Sequence, residues 1–209
     1  MVRQNKIWLF KSYTQMVVSI ILFILFIIGF IYVSTIDFKK DVVKDNEKFV
    51  QEHKEVIDKD NVYSYINASD TYTYVKSDSV IILFGIKDSN WVGHYANVLN
   101  QVAKEVGIDK IYYYDFTDDR KDKNATYEAI VEYLDSYITH LDDGTANLYG
   151  PTLLIKKDGV VKYFDDDTAL VKGNIKADDY WDEYQTNLKK LNLKAALSDY
   201  VKVDNDGKE

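Results

Sequence analysis

The stretch YGPTLLIKKDGVV, residues 149–161, decides how this chain is read. Pro151 within it is the only proline of the sequence. An X–Pro bond adopts the cis form far more easily than any other peptide bond, so a fixed cis turn calls for this residue. Residues 152–155 and 160–164 then form two β-prone runs, and the KKDG between them is a hairpin signal. The segment predicts an antiparallel strand pair opened by a proline turn.

Upstream, the pattern alternates between strand and helix. Residues 62–66 (VYSYI) alternate like a strand, and Ser69 or Asp70 can cap a short helix through Val75. Residues 80–86 (VIILFGI) are continuously apolar, as in a strand buried on both faces. Tyr95, Val98, Leu99, Val102, Ala103 and Val106 keep helical spacing, and Gly107 ends that helix. Residues 111–116 (IYYYDF) form another β-prone run. Tyr127, Ile130, Val131, Leu134, Tyr137, Ile138 and Leu141 mark a further helix. A last helix over 177–191 would turn Tyr180, Trp181, Tyr184, Leu188 and Leu191 inward, with Asn192 as a possible interruption before 193–201. The order β-α-β-α-β-α-β-β-α predicts a mixed sheet with helices on both faces.

The N-terminal part reads differently. Residues 16–33 (MVVSIILFILFIIGFIYV) carry no charge and, as a helix at about 1.5 Å per residue, would cover about 27 Å, close to the hydrocarbon thickness. Arg3, Lys6 and Lys11 precede this run without an acid, whereas the rest of the chain holds the whole acidic excess. A transmembrane anchor is expected there, with residues 1–15 cytoplasmic and residues 34–209 extracytoplasmic, in a single-pass membrane protein. Residues 34–60 are highly charged, with Val42, Val43, Phe49, Val50, Val56 and Ile57 recurring as pairs at heptad spacing, so a solvated helical stalk is expected. Asn46 and His53 fall between the pairs and argue against a stable coiled coil. The folded domain is expected over 61–201, and 202–209 as a flexible tail.

Composition excludes several functions. Hydrophobic residues at 46% and aromatics at 14% are incompatible with a disordered chain. The net charge of −8 argues against nucleic acid as a partner. With no cysteine there is no disulfide, thiol nucleophile or thiolate metal site. His53, His94 and His140 lack the spacing of a zinc site, and no cofactor is expected. Ser89 and His94 lack the orienting group and nucleophile elbow of a hydrolase. The acidic clusters around Asp115–Asp122 and Asp165–Asp167 do not match a calcium loop and read as solvated loops. Asn67 and Asn124 match glycosylation sequons and read equally as helix caps.

The element order, with YGPTLLIKKDGVV matching the x-P-T-strand-turn-G-x-V segment around a cis-proline, resembles the thioredoxin fold over about residues 62–200. Behind an N-terminal anchor, VIILFGI, IYYYDF and GPTLLIKKDG look like small membrane-tethered thioredoxin-like proteins of Gram-positive bacteria, some of them labelled bacteriocin transport accessory proteins. The resemblance places the redox Cys-x-x-Cys positions on Ser89 and Val92, counted back from Leu99 and Ala103. A second alignment, Trp91-Val92-Gly93-His94-Tyr95 on W-C-G-H-C, also lacks both thiols. Leu83 stands where many members carry a buried acid. An alcohol does not exchange with a disulfide, so redox chemistry is not expected. The resemblance implies instead a peptide- or partner-binding surface framed by Trp91, His94, Tyr95, Tyr149, Gly150 and Pro151, where backbone beside the proline pairs with an extended segment. The expected partner is an extended peptide or a protein of the cell envelope; the alternative is a structural spacer or subunit of a membrane complex.

Overall fold

The computed structural model describes residues 15–18, 21, 23–25, 44–56, 58–171 and 174–206. The chain divides into two units, Met1–Val43 and Lys44–Glu209. The elements of the second unit are α1 (Asp45–Glu52), β1 (Tyr63–Tyr65), α2 (Ala68–Tyr74), β2 (Val80–Gly85), α3 (Asn90–Val106), β3 (Ile111–Asp115), α4 (Thr117–Lys121), α5 (Ala125–Leu134), β4 (Thr152–Lys157), β5 (Val160–Asp165), a 3-10 turn (Asp167–Leu170), α6 (Ala177–Tyr180) and α7 (Glu183–Asp206).

The five strands form one mixed sheet in the order β1-β3-β2-β4-β5. β1, β3 and β2 run parallel, while β4 is antiparallel to both β2 and β5. β2 lies at the centre and every residue of it is buried, which explains its unbroken apolar sequence. Its pleat divides two cores. Ile81 and Leu83 face α1, α3 and α7, with Phe49, Leu99, Leu193 and Leu197. Ile82 and Phe84 face α2 and α5, with Tyr114, Ile130 and Leu134. The β4–β5 hairpin turns on Asp158 (φ 51) and Gly159 (φ 74), the left-handed pair that a two-residue turn matching the strand twist requires.

The helix starts have local causes. Asn67 and Asn124 act as caps: the Asn67 side chain accepts from the Asp70 amide at 2.9 Å, and that of Asn124 from the Thr126 amide at 2.8 Å. The cap of α2 is therefore Asn67 rather than Ser69 or Asp70. α5 ends at Leu134, and Tyr137 and Leu141 are exposed. The C-terminal helix is broken earlier than Asn192, because the Asp182 carboxylate accepts from the Gln185 amide at 2.8 Å and starts α7 anew. This break changes the helical phase. Trp181 stays buried, whereas Tyr184, Leu188 and Leu191 face outward, and Lys189, Leu193 and Leu197 take the inner positions.

Two expectations are overturned. Among the described residues no helix is long and apolar enough to cross a membrane, which contradicts the anchor over 16–33, the single-pass membrane placement and the cytoplasmic and extracytoplasmic assignments built on it. Of that stretch the structure describes 16–18, 21 and 23–25, all helical. The other positions of that segment, with residues 1–14 and 34–43, lie outside the described residues. The solvated stalk is also corrected. Its helix covers only Asp45–Glu52, and Phe49, His53 and Val56 are fully buried against the sheet. Phe49 and Val56 of that pattern belong to the core at a short helix and its exit, where the aromatic ring of Phe49 stacks on Tyr63 at 4.0 Å and meets Tyr113 edge-on at 4.8 Å.

Candidate functional site

Three elements converge at one end of the sheet: the C-terminal end of β2, the start of α3 and the turn that enters β4. Their approach is close enough to require glycine. A Cβ on Gly150 would stand 3.2 Å from the Gly85 Cα and the Ile86 amide. A Cβ on Gly85 would meet the Tyr113 ring at 2.6 Å. Gly150 joins Pro151 through a cis peptide bond. Thr152 is held by a hydrogen bond from its Oγ1 to the Tyr149 carbonyl at 2.8 Å.

A groove of about 270 Å³ opens over this junction, lined by Trp91, Tyr149 and Gly150 on one side and Thr168, Ala169, Val171 and Ile175 on the other. The Trp91 indole is half-buried and leans on the Tyr180 ring at 5.1 Å. Trp91, Tyr149 and Gly150 are thus brought together. Pro151 is buried behind the turn and lines no groove wall. The remaining expected residues go elsewhere. Tyr95 is buried and its hydroxyl donates to Asp165 at 2.7 Å. His94 is half-buried one turn along α3 from Trp91, with its Nε2 2.7 Å from an Asp178 carboxylate oxygen. The reason is axial distance: positions 94 and 95 return to nearly the same face as Trp91 but lie about one turn, about 5 Å, further along the helix.

Ser89 is the N-cap of α3, and its hydroxyl accepts from the Val92 amide at 3.5 Å. Val92 is fully buried, packed near Gly85. The aligned redox positions therefore stand at a helix N-terminus, filled by a cap and a core methyl pair. Ser89 and His94 are engaged with separate partners and form no catalytic pair.

Beneath that helix start lies His53, which the sequence placed on a stalk. Its Nε2 sits 2.9 Å from the Tyr113 hydroxyl. Its Nδ1 reaches no partner in hydrogen-bonding geometry. Burial lowers its pKa to about 4, against the opposing pull of Asp115, the Ser89 backbone and Asp88. The acidic segment 165–167 was read as solvated, yet Asp165 is buried and receives Lys189 Nζ at 2.7 Å with the Tyr95 and Tyr163 hydroxyls at 2.7 and 3.2 Å. Burial opposes the charge on Lys189, but Asp165 and Asp167 outweigh it and raise the ammonium pKa. Among the described residues no group of three or more His, Asp or Glu side chains could hold a metal ion.

The sequence missed the far wall of the groove. Ala169, Val171 and Ile175, with Leu170 beside them, are the apolar residues of a connection after β5 that is otherwise polar or glycine, and that contrast was the available signal. Neither protein-family models nor curated proteins yield a match to this chain.

Proposed function

We propose that this chain is a non-redox, thioredoxin-like domain that binds an extended peptide or an extended segment of a partner protein in the groove over Gly150. The reading rests on one observation: Trp91, Tyr149 and the backbone of Gly150 line the same groove, which has an apolar opposite wall in Ala169, Val171 and Ile175. Backbone at a strand entrance can pair with an added strand, and flanking aromatics supply burial and register. The parallel trio continued by an antiparallel hairpin supports the kinship with that fold. The absence of sulfur nucleophiles supports a binding role, since Ser89 and Val92 cannot carry disulfide exchange.

The test is selection of displayed random peptides against the full chain, followed by titration of the selected peptide. Trp91→Ala and Tyr149→Ala are each expected to weaken binding by roughly thirtyfold, the effect of losing an aromatic anchor. His94→Ala, which does not line the groove and pairs with Asp178, leaves it unchanged. Unaltered affinity in both aromatic variants would refute the groove as the site.

A further inference from the structure

α7 carries apolar residues on two opposite faces. Leu193 and Leu197 point into the core with the buried Lys189. On the outer side Tyr184 (69% exposed), Leu188 (42%) and Leu191 (68%) form a line that continues through the exposed Ala195. Their alternating spacing of four and three residues is that of a coiled-coil seam, with Leu188 and Ala195 at a and Tyr184 and Leu191 at d. A helix apolar on both faces is one that is covered on both. Among the described residues of the second unit nothing covers the outer line, and a groove of about 320 Å³ between α3 and α7 opens beside Leu191.

The charges beside the seam select the occupant. In the heptad frame Asn187 and Lys194 fall at g, and Asn192 and Asp199 at e. A parallel pairing with an identical helix sets g against the e position of the next heptad. That places Lys194 against Asp199 of the second copy and Asn187 against Asn192 of the second copy, each twice by symmetry. Antiparallel pairing would face Lys194 with Asn187 and forgo the Lys194–Asp199 pairs between copies. Lys194 already holds Glu105 at 3.0 Å, which orients its ammonium along this edge.

We propose that the outer face of α7 is a parallel, two-fold homodimer seam, with Tyr184, Leu188, Leu191 and Ala195 at its centre and Lys194–Asp199 pairs at its rim. A symmetric patch that is its own complement is what an isologous interface requires. The seam is independent of the groove over Gly150.

Sedimentation equilibrium of the full chain tests it. The wild type is expected to dimerise, and Leu188→Glu/Leu191→Glu to raise the dimer dissociation constant by at least about a hundredfold, with an unchanged circular dichroism spectrum because both side chains are exposed. Lys194→Asp is expected to weaken the dimer about tenfold, and Lys194→Asp/Asp199→Lys to restore it. The chain has no cysteine, so Ala195→Cys introduces a single thiol. Parallel packing brings that thiol to its own copy, and an added oxidant should link it as a covalent dimer, while Val160→Cys on the exposed start of β5 stays monomeric. A monomeric wild type, a dimer indifferent to the double glutamate variant, failure of the charge swap to restore association, or absent linkage through position 195 each overturns the proposal.

Discussion

One face of the sheet holds His53, Asp165 and Lys189 in its interior, with the hydroxyls of Tyr95 and Tyr113 as partners. The other face is packed from Ile82, Phe84, Tyr114, Phe116, Ile130 and Leu134. Its buried lysine, Lys156, spends its ammonium on the Val75 carbonyl at 3.1 Å and the Tyr133 hydroxyl at 3.3 Å. Both faces bury large side chains. They differ in what their stability depends on. Apolar burial scales with area and is indifferent to pH. A buried titratable group stabilises only while its protonation state and its partner are intact. The polar face is the one that lies beneath α3 and carries the groove residue Trp91, so the candidate site stands on the conditional half of the molecule.

The largest effect should come from breaking the ion pair on that face. Lys189→Met keeps the side-chain volume but strands the Asp165 carboxylate in the core, at a cost of about 3–5 kcal/mol in denaturant unfolding. Asp165→Asn/Lys189→Met should recover part of the loss, because the stranded charge is gone. A cost under about 1 kcal/mol for the single variant would show that Asp165 finds water, and the contrast between the faces would fail.

The next effect is on pH dependence. Folded His53 has a pKa of about 4, against 6.5 unfolded. Between these values the unfolded chain binds a proton that the folded chain refuses, so stability is complete above the upper value and declines as pH falls through the window. The loss amounts to about 3 kcal/mol, and below the folded value it is complete. His53→Gln should flatten this part of the profile, as read from urea midpoints at pH 7, 5.5 and 4. A wild-type profile without that slope would mean that the imidazole is solvated.

The smallest effect belongs to the apolar face. Ile130→Val removes one methylene from a fully buried site and should cost about 0.5–1.5 kcal/mol, equally at each of those pH values. A pH-dependent cost there would blur the distinction that the other two variants draw.

The legibility of the chain follows the same division. The strands at 63–65, 80–85 and 111–115 and the hairpin at 152–165 were readable because alternation, apolar continuity and turn chemistry are local. Asn67 and Asn124 were readable as caps for the same reason. His53 and Asp165 were not. A charged or titratable residue in a polar stretch looks solvated, and its burial depends on a phenol or ammonium far away in the chain, Tyr113 in one case and Lys189 in the other. The candidate site divided likewise. Trp91, Tyr149 and Gly150 were named from the proline segment and the helix start, whereas Tyr95 and His94 were assigned by proximity in sequence and, one turn further along α3, are taken up by Asp165 and Asp178.

Sequence alone determined the strand and helix order, the proline turn before β4 and the lack of cysteine thiols, because composition and short-range pattern carry all three. Tertiary structure decided which face of α7 is inward, that Phe49 and His53 belong to the core, and that the connection after β5 forms the far wall of the groove. A break of two residues at Trp181 and Asp182 re-phases an entire helix, and a short helix becomes core or stalk according to whether a sheet face awaits it. Those outcomes depend on contacts between residues distant in the chain, and no local pattern records them.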